Sequence, residues 1–216
     1  PVEVRIHTLD LTSPNLEEQL AVVTGGLEIG LLIYNAGAVH GAAAFLDDSL
    51  DKPRKLINLN CIGPATFCHL LGSPMRTRGR GGIILMSSLS GLTGGAYIAA
   101  YAATKAFDIV LAESLWAELA PCGVHVLGLV AGATDTPAMA ASGIDFEEGH
   151  AMEPMEVARE GLAQLPHGPV HVAGENNRLG ATLLRGEDRR QSVALMSAGS
   201  AALYGLNVPD LPAAEK

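Results

Sequence analysis

Cysteine is scarce in this sequence. Cys61, Cys68 and Cys122 are three in number, an odd count, and show no CxxC spacing. That pattern argues against a disulfide framework and a zinc site, and leads us to expect a reducing, cytoplasmic setting. Aromatic residues make up only 4% of the chain and charged residues 17%, while hydrophobic residues reach 48%. A composition so apolar excludes a disordered chain and suits a packed α/β protein. Basic residues are outnumbered 14 to 23, for a net charge of −9. The one basic cluster, "RTRGR" at 76–80, reads as a solvated loop after a helix, so no nucleic-acid partner is expected. No uninterrupted apolar run reaches about 18 residues, so no membrane span is expected. His167 and His171 would share a strand face, but no third ligand stands near them, and no metal is expected.

What is present is an alternation of strand and helix patterns. At 216 residues the chain suits a single domain, taken as 1–216. Residues 2–9 alternate apolar and polar like a strand ending at Asp10. "SPNLEEQLAVVTGG" has a helix signature, with Ser13 as N-cap, Pro14 in the first turn and glycines closing it. "GLLIYNAG", "GGIILMSS", "GVHVLGLVAG" and "GPVHVAG" are short apolar runs of the buried parallel-strand kind. Helices are expected at roughly 49–74, bent near Pro64, at 98–120, over "EPMEVAREGLAQL", and at 189–204. This order predicts an α/β fold with a doubly wound, mostly parallel, Rossmann-like sheet.

"TGGLEIG" at 24–30 imitates the glycine loop that cradles a dinucleotide's phosphates. Such a loop must leave a strand and open a helix, whose N-terminal amides hold the pyrophosphate. Here a helix pattern comes first and a strand follows, so Gly25 and Gly26 are read as a helix stop and the motif as a decoy.

The residues that carry chemistry lie further on. Tyr101 and Lys105 in "YAATK" are four apart on a helix and therefore share a face. A phenol titrates near about 10, and a neighbouring ammonium is expected to draw that value down toward working pH. Ser88 ends the strand "IILMSS", where open α/β sheets place their ligand crevice, with Ser87 and Ser90 as competitors for its role. "NAG" at 35–37 closes another buried strand, and its Ala-Gly pair admits a ligand close to the backbone. Asn60 sits mid-helix, where asparagine has poor propensity. It serves either as a buried residue satisfying local backbone or as a polar link toward Lys105. No GxSxG elbow exists, which removes a serine hydrolase.

Together "HTLDLT" ending at Asp10, "NAG", Asn60, Ser88, "YAATK" and "AGATDT" at 131–136 resemble the short-chain dehydrogenase/reductase family, in its order and near its spacing. The resemblance covers nearly all of residues 2–173. It implies an NAD(P)(H)-dependent oxidoreductase interconverting a carbonyl and an alcohol, with Tyr101 as general acid/base. Lys105 would tune that phenol and hold the nicotinamide ribose, Ser88 would orient the substrate oxygen, and Asn60 would position a water relay. Asp10 would contact adenine and Asn35, Ala36 and Gly37 the adenosine side. Gly132, Thr134 and Thr136 would lie toward the nicotinamide end. Similarity of "EPMEVAREGLAQLPHGPVHVAGENNRL" to bacterial ketone-reducing members leans the cofactor toward NADP(H).

The sequence departs from the family pattern twice. Ala131 replaces the proline of PGxxxT, which loosens that turn. The strand, TGxxxGxG loop, helix and second strand that open the family's pattern do not precede Val2. The chain begins at Pro1, so an earlier segment is expected. A chain without that loop is expected to bind cofactor weakly and to expose sheet edges. The alternative function is a catalytically incompetent remnant serving as a binding or oligomerisation module. Residues 138–152 fall where the family keeps its substrate lid, and their alanines and methionines suggest an apolar substrate. Residues 189–216 form a last helix and tail. The two long helices match the family's dimer surface, so a homodimer or homotetramer is expected.

Overall fold

The computed structural model describes residues 2–38, 41–141, 144, 146 and 150–209. In chain order come α1 (Leu16–Thr24), β1 (Leu31–Tyr34), α2 (Asp51–Ile57), a π turn (Asn58–Ile62) and α3 (Gly63–Arg78). Next are β2 (Gly81–Ser88), α4 (Ala99–Leu119), β3 (Val124–Ala131), α5 (Pro137–Ala141) and α6 (Pro154–Gln164). β4 (Val170–Val172), α7 (Glu175–Leu184) and α8 (Arg189–Leu203) complete it. The four strands form one parallel sheet in the order β1-β2-β3-β4. This is the Rossmann-like arrangement that the sequence predicts.

The two central strands explain why the apolar runs are continuous rather than alternating. Successive side chains on a strand point to opposite faces, and here both faces are covered. Ile83, Leu85, Val124 and Val126 pack with Leu20, Leu71, Met75 and Ala112 of α1, α3 and α4. Ile84, Leu127 and Leu129 pack instead with Val157 of α6. Asn35–Gly37, Ser88 and Gly132–Thr136 all lie at or just past the carboxyl end of a strand of this sheet.

The helical stretch before β2 runs from Asp51 to Arg78, longer than the sequence suggests, and its irregularity is a π turn just ahead of Pro64. Proline has no N–H to offer the Leu59 carbonyl one turn back. The Tyr34 hydroxyl donates to that carbonyl at 2.7 Å instead. Gly63 must lack a side chain because a Cβ there would overlap the Tyr34 phenol. Tyr34→Phe keeps the ring and its edge contact with Phe67 but takes this donor from the carbonyl of the half-buried Leu59. We expect a loss of about 1–3 kcal/mol in urea denaturation; an unchanged midpoint would show that the carbonyl finds another donor.

Two expectations are corrected. Residues 2–9 are not a strand: they pair with no neighbour, and Val2 and Ile6 are each 88% exposed. Alternation sets which face a residue would present, but a strand exists only where a second backbone accepts its hydrogen bonds. The second correction is an omission: α7 went unforeseen between β4 and α8. The opening glycines behave as read, since Gly25 and Gly26 end α1, Gly26 has φ 76°, and β1 follows. α1 itself begins at Leu16, with Ser13 accepting from the Asn15 amide in the preceding turn. Within the lid segment 138–152, residues 142, 143, 145 and 147–149 lie outside the described residues, as does the tail from 210 to 216.

Candidate active site

β2 ends in two serines that the strand's two-residue period sends to opposite faces. Ser87 points into the α4 side, is buried, and donates to the Lys105 carbonyl at 2.7 Å. Ser88 turns the other way. Its Oγ accepts from the Ser90 amide at 3.2 Å, capping the short 3-10 turn Leu89–Gly91, and it lines the same space as the Tyr101 phenol. Of the three candidate serines, Ser88 is the one brought to Tyr101.

α4 carries both motif residues on one face. Its start is rich in alanine, a strong helix former, which allows the helix to begin close behind the β2 loop. Burial pushes the Tyr101 phenol above its ordinary value, and the nearby Ser88 hydroxyl only partly opposes this. The expected lowering by Lys105 is therefore corrected. The ammonium is committed elsewhere: Lys105 Nζ donates to the Met86 carbonyl at 2.7 Å and pairs with Asp108 Oδ2 at 3.0 Å. The side chains of that pair are only 7% and 3% exposed.

Asn60 occupies the π turn and is buried. Its Nδ2 donates to Thr104 Oγ1 at 3.0 Å and to the Ala38 carbonyl at 3.3 Å, while Oδ1 accepts from the Ala38 amide at 3.3 Å. It thus clamps the loop after β1 to α4, which satisfies local backbone and also fixes "NAG" beside Lys105. A Cβ on Gly37 would lie 3.4 Å from Lys105 Nζ and 3.6 Å from Asn60 Oδ1. The bare glycine keeps that approach open.

Two cavities meet at Tyr101. The larger, about 730 Å³, is bordered by Asn35, Gly37, Lys105, Gly132, Thr134 and Thr136 at the carboxyl ends of the strands. The other, about 520 Å³, is walled by Leu184 of α7 and by Leu195, Met196 and Leu203 of α8. Ser88, Tyr101, Thr134 and Met139 line both. α8 is tied to the loop that leads into α4: Ser197 Oγ accepts from the Ala96 amide at 2.9 Å, and Ser200 Oγ donates to its carbonyl at 2.9 Å. Thr136 Oγ1 accepts from the Met139 amide at 3.3 Å, and a Cβ on Gly132 would collide with Asn177 of α7. Asp10 and Ala36 are not brought to either cavity. Asp10 is exposed and accepts from the Thr12 amide and hydroxyl, which holds its carboxyl below the usual range. Ala36 packs on the core cluster beneath β1.

The sequence profile of the short chain dehydrogenases matches residues 3–145. The chain belongs to that family. Among curated members of the short chain dehydrogenases, it is 30% identical over 178 residues to a 7beta-hydroxysteroid dehydrogenase of Clostridium sardiniense, covering 82% of this chain and 68% of that one. It is 33% identical over 128 residues to a very-long-chain 3-oxoacyl-CoA reductase of Podospora anserina. That match covers 58% of this chain and 38% of the relative, so the chain spans well under half of that protein. A solved 7beta-hydroxysteroid dehydrogenase superposes with a TM-score of 0.70 at 27% identity, covering 78% of this chain and 66% of the other. A short-chain dehydrogenase from Sphingobium yanoikuyae, solved in complex with NADPH, gives 0.66 at 27% identity, covering 76% and 64%. In this short chain dehydrogenase, no helix among the described residues is long and apolar enough to cross a membrane.

Sequence reasoning missed Asp108 and the walls supplied by α7 and α8. Asp108 did leave a signal: an acid three residues after the motif lysine, on an otherwise apolar face. The α8 serines left none, because a serine on a helix reads equally well as a solvated position.

Proposed function

We propose that this protein interconverts a carbonyl and an alcohol with the help of a nicotinamide dinucleotide, with Tyr101 giving and taking the proton. The observation that carries this reading is that Ser88 and Tyr101 together line both of two adjoining cavities, the larger of which also holds Asn35, Lys105, Thr134 and Thr136. The larger cavity falls within the range of known ligand pockets. Its groups suit the nicotinamide half of such a cofactor: the Lys105 ammonium and Tyr101 phenol for ribose hydroxyls, and Thr134 and Thr136 for the carboxamide. Gly37 and Asn35 offer backbone and amide toward the adenosine side. Bound there, the dinucleotide supplies the hydride. The NADPH complex of the Sphingobium neighbour supports NADP(H).

The chain's own residues do the rest. In reduction, Ser88 orients the carbonyl oxygen, and the Tyr101 O–H bond breaks as its proton forms the alcohol O–H. In oxidation the phenolate takes that proton back. Burial keeps the phenol protonated and ready to donate. Asn60 holds the loop and α4 in register, which fixes Lys105 beside Gly37.

The second cavity admits a bulky apolar carbonyl compound, and the hydroxysteroid relatives support a ring-bearing substrate of that kind. The test is a panel of ring-bearing and long-chain ketones with NADPH and NADH, followed by nicotinamide absorbance. Turnover is expected with at least one bulky apolar ketone, and Ser88→Ala is expected to lose about 100-fold in kcat/KM. Hydride transfer that proceeds equally well without the Ser88 hydroxyl would remove it from the mechanism.

A further inference from the structure

The segment after β3 starts with Ala131 and Gly132, two residues with no bulk to stiffen the backbone, and leads to Thr134, which lines both cavities. Its shape is fixed from outside. The Met152 amide donates to the Ala133 carbonyl at 3.0 Å, and the Asp135 amide donates to the Met152 carbonyl at 3.0 Å. Thr134 and Met152 thereby pair as an isolated parallel bridge. Met152 is held in turn by Asn177 in the first turn of α7. Asn177 Nδ2 donates to the Met152 sulfur at 3.4 Å and to the Ala173 carbonyl at 2.8 Å. The same side-chain amide presses on Gly132, where a Cβ would collide with it. The platform that carries Asn177 is anchored as well. Glu160 of α6 accepts from the Gly174 amide at 3.1 Å and from Arg178 at 3.1 Å, and Arg178 also donates to the Val172 carbonyl at 3.1 Å.

We propose that Asn177 is a positioning residue: from α7 it clamps the segment after β3, directly at Gly132 and through Met152 at Thr134, and so sets Thr134 where the two cavities adjoin. The bearing of this clamp on a dinucleotide rests on the function proposed above, in which Thr134 takes the carboxamide end. A glycine beside small residues samples many conformations, and a segment that orders only when its ligand arrives binds more weakly by the entropy of that ordering. A segment braced beforehand avoids the loss. Among the described residues, Asn177 and Met152 make no hydrogen bond to Ser88, Tyr101 or Lys105. The brace is therefore expected to act on affinity and not on the proton-transfer step.

The test compares the parent with Asn177→Ala, first by amide hydrogen exchange without cofactor. The Asp135 and Met152 amides are expected to exchange about 10-fold faster in the variant, while the amides of β2 and β3 keep their protection. Unchanged exchange at both amides overturns the proposal. So does a uniform rise across the sheet, which is what a general stabilising residue would give. The second readout is NADPH binding by nicotinamide fluorescence, beside kcat for ketone reduction. Affinity is expected to weaken about 10-fold with kcat held within about twofold; unchanged affinity, or a kcat that falls as far, removes the positioning role. Should Asn177→Ala fail to fold, Asn177→Ser is read in the same way, because its hydroxyl reaches the carbonyl one turn back but not Met152. If the parent binds neither NADPH nor NADH, the functional reading fails, yet the exchange rates still decide whether Asn177 holds the segment.

Discussion

Tyr101→Phe is expected to lower turnover by about a thousandfold while cofactor affinity changes little. General acid–base catalysis by a placed side chain is worth roughly 10²–10⁴-fold, and Tyr101 is the one titratable side chain among the described residues that line both cavities. The ring itself is packed among Ile98, Ala102 and Met196, so phenylalanine fits the same space and the fold survives. Lys105, Gly37 and the two threonines remain to border the larger cavity. Measurement of kcat beside a nicotinamide fluorescence titration separates the two effects. A variant that kept more than about a tenth of the parent rate would falsify the assignment of the phenol.

Gly91→Ala is expected to be nearly as damaging, through geometry and not through lost chemistry. The turn at Leu89–Gly91 leans on the backbone of α4, where a Cβ on Gly91 would come 2.7 Å from the Lys105 carbonyl carbon and oxygen and 2.9 Å from the Ala106 nitrogen. Backbone atoms of a helix cannot turn aside as a side-chain tip can. The helix or the β2 end must therefore move, and the Ser87 bond to the same carbonyl is stretched with it. Stability is expected to fall by about 1–3 kcal/mol. Displacing Ser88 from Tyr101 by even ~1 Å is expected to cost about 100-fold in kcat/KM. Denaturant unfolding and steady-state kinetics check both, and an alanine accommodated without change in either would mean that the turn and helix are not held against each other.

Much of this site was legible because its residues are tied to strand ends. Once "IILMSS" and "LLIYNAG" read as buried strands, Ser88 and "NAG" had to fall at one edge of the sheet. The "YAATK" helix, coming directly after the first of these, had to cross that edge. The same reasoning about element order disposed of "TGGLEIG" without any structure. Other features depended on partners that no local pattern reveals. Residues 2–9 alternate correctly for a strand but find no neighbour. Helix α7 follows Gly174 and carries Asn176, Asn177 and Gly180, poor helix formers that hide a helix held mainly by its packing on β4 and α8. Spacing placed Lys105 on the face of Tyr101, yet it could not show that Asp108 and the Met86 carbonyl would take the ammonium first.

The serines of α8 that grip Ala96 have a consequence for selectivity. The wall of the second chamber and the lead-in to the helix bearing Tyr101, the proton donor we propose, are fastened together through Ala96. A guest that presses α8 outward is therefore expected to drag on the start of α4 and draw Tyr101 out of line. On the proposed reading fit and reactivity are thereby linked: an oversized molecule is expected to be held in the wrong place for reaction, even where the chamber yields enough to let it enter.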